Sequence, residues 1–143
     1  MEPRGATEIQ MEMLYKHVSK DLLDKVQICT SIPGKVPLDP NKLNILWQKN
    51  SYDQPNLQEF FRNKERHKEY DWYVFNSHWN YEKFRYFFDI PTERSVVIKN
   101  GIEEFPIRKI YKKDEPIKLV HHCTPWRGLN VLLRAMQEIK DPK

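Results

Sequence analysis

Short apolar runs alternate with amphipathic stretches along this chain of 143 residues. Runs of buried type, each closed by turn-forming residues, predict four β-strands at 26–31, 43–47, 72–75 and 95–98. Apolar positions at helical spacing predict helices over 5–18, 57–68 and 77–88. Strands that alternate with helices are typical of an α/β protein with a Rossmann-like sheet and crossover helices.

The last quarter of the chain is predicted to hold one more strand and one more helix. Residues 106–116 are irregular and charged, which indicates a linker between a first domain (1–105) and the start of a second (117–143). There a fifth strand over 117–122 and a helix beginning at Thr124-Pro125 are predicted, since threonine caps helices and proline fits the first helical position. A single strand–helix unit cannot bury its apolar helix stripe alone, so we expect it to self-associate or to dock on the first domain. That stripe consists of Leu129, Leu132, Leu133, Met136 and Ile139.

Charge and hydropathy narrow the classes of protein that fit. The formal net charge is +4, but 24 basic and 20 acidic residues are mixed along the chain. A mixed-charge surface, or a mild attraction to phosphate-bearing ligands, fits this balance better than nucleic-acid binding, for which no motif is present. No apolar run approaches the roughly 18 residues that span a bilayer, and Met1–Gln10 carries no signal-peptide core. We therefore expect a cytoplasmic protein without a membrane span or a nucleic-acid partner.

Several residues that could carry chemistry have plainer interpretations. Cys29 and Cys123 lie in strand-like apolar runs and are interpreted as buried thiols of a reducing compartment. His121, His122 and Cys123 are consecutive, so their side chains point to opposite faces of a strand, and no metal site is expected. His17 and His67 are placed on helix surfaces. The aromatic residues of the third predicted helix are expected to lie mostly in the core; they are Trp79, Tyr81, Phe84, Tyr86, Phe87 and Phe88.

The most informative segments follow the predicted strands, where α/β proteins place their binding groups. They are Leu46-Trp47-Gln48-Lys49-Asn50, Phe75-Asn76-Ser77-His78-Trp79, Val96-Val97-Ile98-Lys99-Asn100-Gly101-Ile102 and Pro125-Trp126-Arg127-Gly128-Leu129. With Gly5-Ala6-Thr7-Glu8 at the start of the first helix, these segments together resemble glycosyltransferase family four, in the order that the family has them. The resemblance covers most of the chain.

That resemblance implies a partial GT-B fold, with most of a first lobe and the first β–α unit of a second. It implies a retaining transfer of sugar from a nucleotide diphosphate sugar to an acceptor hydroxyl of a glycan or another molecule, without a metal or other cofactor. Arg127 would contact the donor diphosphate near a helix N-terminus, and Gly128 would allow close backbone approach. The acceptor would face Asn50, Ser77, Asn100 and Gly101.

Departures from the family keep a second interpretation open. Many members have a histidine near the reacting sugar where this chain has Lys49. A lysine there could meet developing negative charge, but a general base is lost unless its pKa falls, and a plain loop lysine remains an alternative. We also expect the chain to lack the family's spaced pair of glutamates and its first strand with the glycine loop. The alternative is a non-catalytic α/β module that binds a glycan, a nucleotide or a protein.

Overall fold

Four parallel strands form one sheet, in the order β1 (Val26–Thr30), β2 (Leu43–Gln48), β3 (Trp72–Phe75) and β4 (Ser95–Val97). The helices are α1 (Ala6–His17), α2 (Lys20–Leu23), α3 (Pro55–Arg62), α4 (His78–Phe88) and α5 (Leu129–Glu138), with 3₁₀ turns at Lys64–Glu69 and Thr92–Arg94. This computed structural model describes residues 5–104, 116, 119–121 and 127–139. The predicted mixed α/β class and the four strands of the first domain are confirmed. The chain divides into two units, Met1–Glu103 and Glu104–Lys143.

The core of the first unit lies on one face of the sheet. Leu46, Tyr73 and Phe75 project from that face, because they occupy alternate strand positions. They pack against apolar side chains of α3 and α4, which cross over between the strands they join; these are Leu57, Phe60, Phe61, Phe84 and Phe88. Helix and sheet therefore bury one another, and the cluster is largely aromatic.

The segment predicted as one helix over 57–68 is two elements. Helix α3 ends at Arg62, and Asn63 accepts a hydrogen bond from the amide of Glu65 (3.2 Å), which starts a 3₁₀ turn. The turn places His67 in the interior, with Nε2 2.9 Å from the carbonyl oxygen of Phe61. The prediction that His67 lies on a helix surface is therefore wrong, whereas His17 is exposed, as predicted.

The second unit is described at α5 and a few residues before it. Leu119, Val120 and His121 are not in a strand, so the predicted fifth strand is not formed at these positions. A strand needs a neighbouring strand to pair its backbone groups, and no described strand pairs with these three residues. The other residues of the predicted strand, the linker at 106–115 and the Thr124-Pro125 cap lie outside the described residues.

Helix α5 has the amphipathic pattern expected from the sequence, but it buries none of its residues. Leu133, Met136 and the following Ile139 are exposed. Self-association or docking through this stripe stays a prediction. Among the described residues, no helix has both the length and the apolar character needed to cross a membrane.

Alkaline pH is expected to destabilise the first unit. Burial raises the pKa of the Cys29 thiol above 9.0, and burial raises the pKa values of the Tyr70 and Tyr73 hydroxyls above 10.0. A group whose pKa is raised in the folded state stabilises the fold fully below its ordinary pKa and loses that contribution as pH rises. Lys49, with a lowered pKa, acts in the opposite direction.

Because the rise in the pKa of Tyr73 is large, and Cys29 and Tyr70 shift in the same direction, the free energy of unfolding should fall between about pH 9 and pH 11. Urea denaturation across this range measures it. The variant Tyr73→Phe should show a smaller loss with pH, although it also lacks the hydrogen bond from the Tyr73 hydroxyl to the carbonyl of His67 (3.0 Å). A free energy of unfolding that stays level or rises over this range would contradict the assignment.

Candidate functional site

A polar cavity of about 220 Å³ lies where β2 and β3 end. The carboxyl ends of neighbouring parallel strands meet at one edge of the sheet, which is where α/β proteins bind ligands. Two strand–helix junctions supply its walls: Lys49, Asn50, Ser51, Asn76, Ser77, Trp79 and Asn80. The structure thus brings together three of the site residues predicted from sequence, Lys49, Asn50 and Ser77.

The N-terminus of α4 organises one wall of the polar cavity. Ser77 is the N-cap, and its hydroxyl accepts a hydrogen bond from the amide of Asn80 (3.1 Å), as the sequence predicted. The Asn80 side chain is buried and donates to the carbonyl of Asn50 (3.3 Å) and to Oδ1 of Asn76 (3.4 Å). Its own Oδ1 has no hydrogen-bond partner within the described residues. That oxygen is buried, so it does not face the polar cavity as an exposed acceptor.

Gln48 positions the opposite wall, and sequence analysis missed it. Its side chain is fully buried, with Oε1 accepting from the amide of Asn50 (2.8 Å) and Nε2 donating to the carbonyl of Ser31 (2.9 Å). One glutamine therefore ties the loop after β1 to the loop after β2. A polar residue at the end of a mostly apolar strand was the available signal.

Lys49 folds back over the preceding tryptophan. Its Nζ lies 3.6 Å from the centroid of the Trp47 ring and makes no hydrogen bond within the described part of the chain. Burial lowers the pKa of Lys49, and the negative charge of Glu8 opposes that change. The direction is the one that a lysine acting as a base would need, and the protonated form would offer donors to an anion.

The remaining predicted acceptor residues lie elsewhere. Neither Asn100 nor Gly101 lines the polar cavity. Gly101 instead pairs with α1, where the Gln10 side chain donates to its carbonyl (2.7 Å) and accepts from its amide (3.2 Å). The segment after β4 is therefore tied to α1.

Arg127 and Gly128 belong to the second unit and stand directly before α5. Gly128 is the N-cap of that helix and has a φ of 93°, a conformation that side chains with a Cβ rarely adopt. Nothing lies within 4 Å of the place where a Cβ would stand, so the backbone is open at this point. Arg127 is exposed.

Of the six aromatic residues of α4 that were predicted to lie mostly in the protein core, three are exposed. Phe84 and Phe88 are buried, but Trp79, Tyr86 and Phe87 are not. Consecutive residues of a helix cannot all face the sheet, so only one line of positions is buried. Trp79, which is 56% exposed, contributes to the polar cavity and meets the ring of Tyr52 edge-on at 6.3 Å.

In the described part of the chain, no three histidine, cysteine, aspartate or glutamate side chains lie close enough together to hold a metal ion. His122 and Cys123 lie outside the described residues. Comparison with protein-family models, curated proteins and solved structures finds no match to this chain.

Proposed function

We propose that this chain is glycosyltransferase-like and that its first unit is the acceptor-side lobe of a GT-B enzyme of the family-four type. The observation that carries the proposal is the composition of the polar cavity. Three amides, two hydroxyls, one amine and one indole line it. Amides and hydroxyls can each pair with vicinal sugar hydroxyls, and an exposed indole offers a flat apolar face to a sugar ring.

In the proposed reaction, a nucleotide diphosphate sugar donates its sugar to an acceptor hydroxyl with retention. The bond from the anomeric carbon to the diphosphate oxygen breaks, and a bond from that carbon to the acceptor oxygen forms. The hydroxyl proton is released, and the nucleoside diphosphate leaves. Asn50 and Ser77 would hold the acceptor, while Lys49 would stabilise negative charge or, as the neutral amine, accept the proton.

The donor diphosphate would meet Arg127 and Gly128. The free N–H groups at the N-terminus of α5 and its dipole favour an anion there, and a guanidinium adds paired donors. Asn100 and Gly101 do not line the polar cavity. If they contact the acceptor, they do so outside that cavity. The buried Cys29 thiol, which is not part of a disulfide, fits the reducing, cytoplasmic location that we propose.

A non-catalytic module is the second candidate, and the packing of Lys49 favours it. An amine held 3.6 Å from an indole ring is already occupied by a cation–π contact. Moving it toward a reacting sugar would cost that contact. A module of this kind would use the same amides and hydroxyls to bind a glycan without turning over a donor.

Incubation of the chain with a panel of nucleotide diphosphate sugars separates the two candidates. We expect release of nucleoside diphosphate, accelerated by glycan acceptors, and a loss of about ten-fold or more in rate for Ser77→Ala and Asn50→Ala. Asn56→Ala, an exposed asparagine of α3, is the matched control.

The outcomes are distinct. Release that these variants slow supports the transferase. Glycan binding that they weaken, with no release from any donor, supports the module. Neither release nor glycan binding would reject both candidates.

A further inference from the structure

A second cavity, of about 360 Å³, lies beside the polar cavity. Its lining is partly aromatic and partly polar, and we call it the aromatic cavity: Tyr52, Asp53, Gln58, Arg62, Phe87 and Phe88. The loop after β2 contributes to both cavities, since residues 49–51 line the polar cavity and residues 52–53 line the aromatic cavity. Helix α4 also contributes to both. The two cavities are therefore neighbours along one loop and one helix.

The ring of Tyr52 joins the two cavities. It meets Trp79 of the polar cavity edge-on at 6.3 Å between centroids, and it stacks on Phe87 of the aromatic cavity at 4.4 Å. Nζ of Lys83 lies 6.0 Å from the Tyr52 centroid and 5.8 Å from that of Trp79, within the range of cation–π contacts. The side chain of Gln58 donates to the carbonyl of Tyr52 (2.8 Å). Side chains of two helices thus hold this row of three rings.

The aromatic cavity combines ring surface with charged groups that have no partner. Trp79 and Phe87 keep half or more of their surface exposed. Within the described residues, neither Arg62 nor Asp53 forms an ion pair or a side-chain hydrogen bond, although both line this cavity. A guanidinium is a donor and a carboxylate is an acceptor. The cavity therefore offers an apolar ring, donors and acceptors to one occupant.

We propose that the acceptor is an oligosaccharide, with one sugar in the polar cavity and the next in the aromatic cavity. This inference rests on the proposed sugar binding in the polar cavity. At about 220 Å³ that cavity is smaller than the ~300–1,000 Å³ of typical ligand pockets, whereas the two cavities together fall within that range. The second sugar would place its apolar C–H face on Phe87 and its hydroxyls near Arg62 and Asp53.

Other kinds of occupant fit the aromatic cavity less well. A wholly apolar group would take water away from the Arg62 guanidinium and the Asp53 carboxylate without replacing their hydrogen bonds, which is costly. A purely anionic group would meet Arg62 but would be repelled by Asp53, and it would leave the aromatic surface unused. Sugar hydroxyls both donate and accept, so a sugar can serve the two charged groups at once.

Isothermal titration calorimetry of the whole chain with matched neutral glycosides tests the proposal. The pairs are methyl glucoside with methyl maltoside and methyl cellobioside, methyl mannoside with methyl mannobioside, and methyl galactoside with methyl galactobioside. We expect at least one disaccharide to bind about ten-fold or more tightly than its monosaccharide. Hydrogen bonds from a second sugar to charged groups are strong enough for that factor.

Variants locate the second sugar. Phe87→Ala and Arg62→Gln should each weaken binding of that disaccharide about five-fold or more and leave the monosaccharide nearly unaffected, because neither residue lines the polar cavity. Asn50→Ala should weaken both sugars. The controls are Arg85→Gln at an exposed arginine of α4 and Tyr15→Ala at an exposed tyrosine of α1, which line neither cavity and should bind both sugars normally.

The possible failures are distinguishable. If a monosaccharide binds and Asn50→Ala weakens it, but no disaccharide binds more tightly, the oligosaccharide proposal is overturned and the proposed function stands. If the extra affinity of a disaccharide survives both Phe87→Ala and Arg62→Gln, the second sugar lies elsewhere and the proposal is again overturned. Binding of neither monosaccharides nor disaccharides would reject the proposed function together with this inference.

Discussion

Replacing Phe61 with alanine is expected to lower the free energy of unfolding by about 3–5 kcal/mol. The Phe61 side chain is 0% exposed and lies where α3, α4 and β3 meet. Its ring packs against Phe84 at 4.7 Å and Phe88 at 5.5 Å between centroids, and against Tyr73 at 6.3 Å. Small domains have a total stability of about 5–15 kcal/mol, so this single cavity would remove a large share of it.

Chemical denaturation of the unaltered chain and of Phe61→Ala measures the effect. Phe87→Ala is the matched control, because Phe87 is 50% exposed and stacks on Tyr52, a partly buried residue at the edge of the core, at 4.4 Å between ring centroids. The control should lose about 1 kcal/mol or less. Equal losses in the two variants would show that the core is not centred on Phe61.

Replacing Gln48 with leucine is expected to cost about 2–4 kcal/mol and to impair ligand binding in the polar cavity. Leucine has a similar size, but it leaves the amide of Asn50 and the carbonyl of Ser31 without their partners. Each unpaired buried group costs about 1–3 kcal/mol. The loop that carries Lys49 and Asn50 would also lose its anchor to the end of β1.

Denaturation and glycan titration together test this prediction. Gln137→Leu, at an exposed position of α5, should change the free energy of unfolding by about 0.5 kcal/mol or less. A Gln48→Leu protein as stable as the control would mean that this side chain does not hold the two loops together. Unchanged glycan binding would mean that the loop keeps its shape without it.

The strands were predictable from sequence because each is a short apolar run bounded by turn-forming residues. Predicted ranges such as 43–47 and 72–75 lie close to the observed strands Leu43–Gln48 and Trp72–Phe75. Strands of a parallel sheet that is covered on both faces are almost continuously apolar, whereas loops are not. The Ser77 cap was predictable for a similarly local reason, since a serine before a helix satisfies a free amide.

The burial of individual side chains was harder to predict. His67 is buried because Asn63 ends α3 and a tighter 3₁₀ turn follows, which rotates the histidine inward. A single helix over 57–68, as predicted from the periodicity, would instead place His67 on the surface. In α4 the sequence offers more aromatic residues than one face can bury, and only the fold decides that Phe84 and Phe88 face the sheet.

The candidate site was predictable in part for a reason of topology. Lys49, Asn50 and Ser77 follow two strands that prove to be neighbours, so their loops meet. Trp79, Asn80 and Gln48 were missed as site residues because their roles depend on contacts between loops distant in sequence. The aromatic cavity could not be predicted either, since its walls come from the loop after β2, α3 and the end of α4.

Binding of a sugar in the polar cavity is the central claim, and an NMR titration tests it most directly. A panel of neutral methyl glycosides would be added while the amide signals of Asn50, Ser77 and Asn80 and the indole signal of Trp79 are followed. The account predicts that at least one glycoside shifts these four signals together and leaves those of α5 in place. Shifts confined to other residues, or no shift of the Trp79 indole with any glycoside, would contradict it.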